Sequence, residues 1–308
     1  MPLISKAFGD IITFTRASTG SYFNSAGVLQ SAAINAPRLD YNPSTLAAQG
    51  LLIEEQRANL VLQSAALSTQ NVTVTAVAHT LSFYGTGTIV LSGATTNTLV
   101  GTGAFPTRST LTFTPTAGTL TLTVTGTVQY GQLEIGSFAT SYIPTTTVAV
   151  TRSADVASVN TLSPWYNATE GTLYVQAMVP NAVGASDINT AVMLSDGTTN
   201  KLIAIRPRFT NQIQGVVVDS GATQANFTPT SFVANATFKS ALSYGVNDFK
   251  YAVNGVSSAD DTSGTVPTVT QLNLGVNGLS FQPLNGYLRR VSYYPRKFSS
   301  AELQTITA

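Results

Sequence analysis

The sequence predicts an all-β chain built of antiparallel sandwich or jelly-roll units. Three observations carry that expectation. Apolar and polar residues alternate in Asn71-Val72-Thr73-Val74-Thr75, in Ser109-Thr110-Leu111-Thr112-Phe113-Thr114 and, most cleanly, in Thr119-Leu120-Thr121-Leu122-Thr123-Val124-Thr125. A period of two sets one strand face in a core and the other in water. Gly and Pro punctuate these runs at short intervals, at Gly85, Gly87, Gly101, Gly103 and Pro106, as turns between short strands do. No long amphipathic helical pattern and no internal repeat interrupts the series.

Composition bounds the function. The chain has 308 residues and no cysteine, with 43% hydrophobic and only 9% charged residues. The hydrophobic share is enough for a sizeable core, while the charged share falls far below the usual value of about 25%. Thr, Ser, Asn, Gln and Gly must therefore cover the surface, and Thr suits pleated backbone. A neutral hydroxyl surface depends little on salt and suits a protein exposed outside a cell. The net charge of +1 gives no basic stripe for nucleic acid. Met1-Pro2-Leu3-Ile4-Ser5-Lys6 lacks the apolar core of a signal peptide, and no stretch is long enough to span a bilayer. Such a chain fits a particle component released by lysis.

Taken in order, residues 1–60 read as an extended, partly strand-forming arm. Ile11–Thr15 is a strand candidate, Asn24-Ser25-Ala26-Gly27 a turn, and Pro37 and Pro43 interrupt regular structure. Residues 61–150 carry the alternating strands of a jelly-roll sandwich. Residues 151–308 form a connector followed by a second β unit, which begins at Gly171–Ala177 and continues through Ala191–Leu194, Lys201–Arg206 and Gly215–Val218. Asp196-Gly197 is expected to turn. Phe249–Val253 runs into Asn254-Gly255, a strong short hairpin signal. Ser299-Ser300-Ala301-Glu302 is a helix start, with a hydroxyl cap and an early carboxylate facing the helix dipole.

Two stretches resemble known families. Thr13-Phe14-Thr15-Arg16-Ala17-Ser18, Tyr22-Phe23, Gly27–Gln30, Ala36-Pro37-Arg38-Leu39-Asp40-Tyr41 and Gly50–Leu60 resemble an N-terminal module of tailed-bacteriophage structural proteins. Gly131-Gln132-Leu133-Glu134-Ile135-Gly136, Thr140–Thr145 and Thr151–Asp155 belong to the same pattern, which in similar proteins closes a jelly roll akin to carbohydrate-binding modules. Leu242–Gly245, Phe249–Val256, Leu274-Gly275 and Asn285–Ser299 resemble the concanavalin-A-like, laminin-G-like sandwich. These resemblances imply a virion protein. Its partners would be other capsid or tail proteins, with homo-oligomerisation, for instance as a trimer, following from particle architecture.

Candidate chemistry is sparse. The lone histidine, His79, lies in a strand-like run and reads as structural. No Gly-x-Ser-x-Gly elbow occurs, and neither does the Glu-x-Asp-x-x-Glu run that would mark a hydrolase on the lectin-like sandwich. Glu54 and Glu55 point to opposite faces of a strand and read as partners for Arg38 or Arg57. Asp260-Asp261 and Asp196-Gly197-Thr198 read first as solvated turns and only second as calcium ligands. Trp165 reads as a junction plug ahead of a sugar-stacking ring, and one of Tyr293 and Tyr294 must face a core. Trp165, Arg206, Arg208 and Tyr293 are the candidates for glycan or subunit contact, and Arg16, Arg38 and Arg57 the candidate anchors of the arm. No catalytic residue, cofactor or metal is expected. The functional expectation is a non-catalytic virion surface protein, as capsid decoration, head fibre or tail fibre. A glycan-recognising adhesin is the alternative, and a polysaccharide-degrading enzyme the less favoured rival.

Overall fold

The structure, a computed structural model, describes residues 8–181, 183–184, 187–228, 231–277 and 282–308. The Met1–Lys6 stretch read for a signal peptide lies outside them. The fold is all-β, as the alternation predicts. Among the described residues, helix is confined to turns at Phe8–Ile11 and Phe209–Asn211 and to Ser300–Thr307. None of these is long and apolar enough to cross a membrane.

The chain forms two compact units, one from Met1–Thr15, Gln49–Glu55 and Asp155–Ala308, the other from Arg16–Ala48 and Gln56–Ala154. This division cuts across the expected 1–60, 61–150 and 151–308, because the first sixty residues are shared out rather than held apart as an arm. Thr13–Thr15 pairs antiparallel with Val156–Ser158, and Leu51–Ile53 pairs with Gly286–Leu288, so short strands from the N-terminal region complete the first unit. Ile11 belongs to the helical turn rather than to that strand.

The first unit is a sandwich. One sheet is seven-stranded, in the order Thr13–Thr15, Val156–Val159, Gln271–Leu274, Val192–Ser195, Leu202–Arg208, Gln212–Asp219, Ala222–Phe227. The facing sheet runs, within this unit, Val256–Ser257, Asp248–Val253, Thr237–Gly245, Glu170–Met178, Gly286–Tyr294, Ala48–Ile53. Between them lie Phe14, Ile53, Val175, Ile205, Leu242, Phe249 and Tyr251 among others. Burying a side chain of this size contributes about 1.5–3 kcal/mol. Tyr251 stacks on Phe227 at 5.7 Å and lies flat over Gly215, where a Cβ would come within 2.5 Å of its ring. The Asn254-Gly255 signal is realised: Val253 faces Val256, and the two turn residues take φ of 47° and 78°, as a type I′ turn requires. Ser299 caps Ser300–Thr307 in a reciprocal capping box with Glu302. Leu303 packs with Phe298, Tyr174 and Ala252 on the outer face of the second sheet.

The second unit packs a four-stranded sheet (Asn97–Val100, Thr88–Gly93, Gly118–Thr125, Gln70–Val74) on a three-stranded one (Gly103–Phe113, His79–Gly85, Gln129–Ile135). Leu120 and Leu122 are fully buried with Leu81, Phe83, Leu91 and Leu133, so the cleanest alternation in the sequence does point one face inward. His79–Gly85 is buried along its whole length, on both faces. Its outer side is closed by a polar layer. Gln132 donates to the carbonyls of Thr140 and Ser141 (3.3 and 3.2 Å) and accepts from Ile143 N–H (2.5 Å). Glu134 accepts from the Thr140 N–H (3.0 Å) and hydroxyl. Asn59 donates to the carbonyls of Gly131 and Ile143. The Gly131–Gly136 and Thr140–Thr145 motifs are thus two halves of one clasp, with Gln132 and Glu134 satisfying backbone groups that no strand partner reaches.

Candidate functional site

The candidate anchors Arg16, Arg38 and Arg57 are 1%, 0% and 9% exposed. Arg16 donates to the carbonyls of Ser18 (2.9 Å), Ala33 (2.8 Å) and Ala36 (3.1 Å). Arg38 donates to the Ser21 carbonyl (3.1 Å) and the Ser141 hydroxyl (2.6 Å). The Arg57 guanidinium lies 4.9 Å over the Phe138 ring and occupies the space a side chain at Gly136 would need, 1.5 Å from a Cβ there. Placed inside, these guanidiniums stitch loops of their own unit, and so they present no surface to another molecule. The sequence places arginines among turns but does not show whether they face out or in.

Trp165 and Tyr293 are brought together, ring to edge, at 5.2 Å, and Tyr166 lies 5.6 Å from Tyr293. All three pack against the core of the first unit. The hydroxyls of Tyr293 and Tyr244 meet at 3.0 Å, in room left by Gly171, and Tyr293 donates to the Asn167 carbonyl at 3.2 Å. Burial raises these phenols above their ordinary range, Tyr166 to about 12. The cluster holds the end of a sandwich with its rings packed edge-on and tilted against one another, a poor platform for stacking a sugar. Tyr294, pointing the other way, packs on Phe298 at 4.6 Å.

Arg206 and Arg208 stand two apart on Leu202–Arg208. Their face is opposite to Ile203 and Ile205, which enter the core. The cross-strand partner of Arg206 is Gln214, and the next strand presents Asn226 on the same face, between the inward Ala225 and Phe227. Gln214 donates to Asn226 Oδ1 at 2.8 Å. Neither Gln214 nor Asn226 was singled out from sequence, although the polar residue between two inward-facing ones is the mark each leaves.

Asn226 also opens on a trough of about 580 Å³ at the sandwich edge, lined by Phe227, Thr228, Ser258, Asp260, Asp261 and Thr262 among others. Its walls are the edge strand Ala222–Phe227 and the segment after Val256–Ser257, which the paired backbones of Phe249 and Asp261 pin in place. Asp261 Oδ1 accepts from the N–H and hydroxyl of Ser263, both at 3.1 Å, and its Oδ2 has no partner among the described residues. Asp260 accepts from Ser300 (2.9 Å) and faces Lys250 (3.5 Å). Asp196 likewise closes its own turn, accepting from Thr198, which holds its carboxyl below the usual range.

The second unit has a smaller cleft of about 230 Å³, lined by Ser18, Thr19, Ser31, Tyr142, Ile143 and Arg152 among others. In the same unit, His79 is fully buried, with Nδ1 2.8 Å from the Val77 carbonyl and its ring stacked on Phe113. Glu54 is buried and Glu55 half-buried, the latter accepting from Asn285 at 3.0 Å. Among the described residues, no three His, Asp or Glu side chains gather closely enough to hold a metal.

No family model and no curated protein matches the chain. Solved structures do. A CBM40 module of the Ruminococcus gnavus IT-sialidase, bound to α2,3-sialyllactose, is 15% identical, covering 46% of this chain and 84% of its own at a TM-score of 0.39. The NanB sialidase of Streptococcus pneumoniae is 14% identical over 48% of this chain and 26% of its own, at 0.40. The Trypanosoma rangeli sialidase is 11% identical over 49% of this chain and 25% of its own, at 0.38. Likeness this partial carries no argument about what the present chain does.

Proposed function

We propose that the chain is a non-catalytic, glycan-recognising surface protein, displayed on a tailed-bacteriophage particle as a capsid-decoration, head-fibre or tail-fibre component. The observation that carries the glycan reading is the edge trough of the first unit. Asn226, Thr228, Ser258, Asp261 and Thr262 set amide, hydroxyl and carboxylate groups around one open concavity, with Asn226 on an edge strand and Asp261 held by its backbone bonds to Phe249. Sugar hydroxyls need acceptors and donors held close together, and the edge strand and the bridge at Asp261 lower the ordering cost on binding. The particle assignment is supported by the sequence resemblance at residues 13–60 and 131–155 and by the charge-poor, hydroxyl-rich composition. Other virion proteins and further copies of this chain would be its partners.

A glycan array probed with the purified chain tests the first part. Binding that Asn226→Ala and Asp261→Asn weaken at least about tenfold, with unchanged melting, supports it. An array with no binder at high protein concentration overturns it. Immunogold microscopy of intact particles tests the second part: label on capsid or tail supports display, and unlabelled particles overturn it.

A further inference from the structure

Buried arginines elsewhere, such as Arg38 and Arg108, leave Nε without a partner among the described residues, but their terminal nitrogens reach oxygen acceptors. Arg16 donates to several carbonyls, and Arg108 donates to the Thr140 carbonyl (2.6 Å) and the Ser82 hydroxyl (2.8 Å). Arg206 and Arg208 differ. Both are half-buried, and among the described residues neither the Nε nor a terminal nitrogen of either guanidinium reaches an oxygen acceptor. Among the described residues, the one polar contact of Arg206 is Nη2 to Met193 Sδ at 3.9 Å, a weak acceptor. The Arg208 guanidinium lies 4.0 Å over the Phe209 ring. Among the described residues no carboxylate pairs with either, and Gln214, 7% exposed, leaves its buried Oε1 without a partner beside them.

Two like charges about 7 Å apart on one strand face repel, and a desolvated cation without a partner is costly. Consistently, burial, then the neighbouring Arg208, lowers the Arg206 pKa to about 10. A bound anion would complete such an arrangement. Two planar guanidinium forks on one face suit a planar carboxylate, which each can grip through paired N–H groups. The diagonal Arg206–Gln214–Asn226 crosses three adjacent strands, roughly 12 Å at strand spacing, because Asn226 pairs in register with Val216 and meets Gln214 by a side-chain hydrogen bond. Asn226, at its far end, lines the trough. A ligand whose hydroxyls fill the trough can thus extend an acidic group to the arginines.

We propose that Arg206 and Arg208, steadied by Gln214, form a carboxylate-binding extension of the trough, so that the glycan recognised carries an acidic sugar. This rests on the glycan reading above. It narrows that reading from neutral to carboxylated saccharides.

Isothermal titration with a panel of uronic- and nonulosonic-acid oligosaccharides tests it, each set beside its methyl ester and a neutral oligosaccharide of equal length. The expected result is that at least one acid binds about tenfold or more tighter than its ester. Arg206→Gln with Arg208→Gln should equalise acid and ester while leaving neutral binding in place. Acids, esters and neutral sugars binding alike would overturn the acidic-sugar inference and leave the glycan reading standing. No binding by any sugar would overturn both. A glutamate-rich peptide binding as tightly as the best acid would also overturn the inference, by making the pair a site for acidic protein. A separate readout guards against misfolded variants. Relieved of an unpaired cation, Arg206→Met should melt at or above the temperature of the unsubstituted chain, whereas a markedly lower melting point would show that the guanidinium serves the fold and overturn the proposal.

Discussion

The two units bury different chemistry. The first closes around aliphatic and aromatic side chains, with Phe249, Tyr251, Leu242 and Ile205 at zero exposure. The second has an apolar layer too, but behind its three-stranded sheet it buries Arg16, Arg38, Arg152, Asn59, Gln132 and Glu134, each at 1% exposure or less. The reason is the ratio of loop to strand. In the first unit most backbone groups find partners across long strands such as Glu170–Met178 and Gly286–Tyr294. In the second, the returns at 16–41 and 138–152 form few ladder bonds, so side chains must satisfy their carbonyls. A buried guanidinium or amide that serves two or three carbonyls replaces a missing strand.

This contrast can be broken or sharpened by substitution, because Trp165, the chain's single tryptophan, reports on the first unit alone. The largest effect is expected from Phe249→Ala, which opens a cavity in the hydrophobic core and should cost about 3–5 kcal/mol, read as an earlier tryptophan transition in urea. Next, Arg16→Met should cost about 3 kcal/mol by stranding the carbonyls of Ser18, Ala33 and Ala36. Hydrogen exchange should show that loss in the 16–41 region, with the tryptophan midpoint unmoved. A shared shift would break the comparison. Ser299→Ala, which removes the cap of Ser300–Thr307, should cost about 1 kcal/mol.

The smallest effect is one of pH. Hydrogen bonds from Lys250 and then Lys297 hold the Asp248 carboxyl below the ordinary range, and the Arg296 guanidinium does the same for Glu302, to about 2. A carboxyl depressed in the folded state stabilises fully above its unfolded value, about 4, and loses that contribution as pH falls through the folded one. Melting temperature should therefore fall with acidity below about pH 4, and Asp248→Asn should flatten that slope. An unchanged slope would leave the Lys250–Asp248–Lys297 contact without energetic weight.

Local rules were legible in the sequence and distant ones were not. The Leu120–Leu122 alternation, the Asn254-Gly255 hairpin and the helix start at Ser299–Glu302 each depend on residues within a few positions and each forms as read, the structure choosing Ser299 over Ser300 as the cap and adding the reciprocal bond from Glu302. The destinations of Thr13–Thr15 and Leu51–Ile53 depend on partners far along the chain, and strand composition does not name a partner. Hence residues 1–60 read as an arm. The arginines of that region read as outward anchors because charge is seldom buried; only the carbonyls gathered by the fold show why they turn in. For the candidate site, Arg206 and Arg208 were legible in the sequence as a pair fit for a carboxylate or a neighbouring subunit, while Gln214 and Asn226 gained meaning only from register.

The pairing of Leu51–Ile53 with Gly286–Leu288 also has a consequence for synthesis on the ribosome. The earlier strand emerges long before its mate, and at usual translation speeds it waits on the order of ten to fifty seconds. During that interval it is a nascent segment with unclaimed amides, open to chaperones or to pairing with a second nascent chain on the same message. Closing so distant a contact makes the first sandwich a late and slow folder, whatever its final stability.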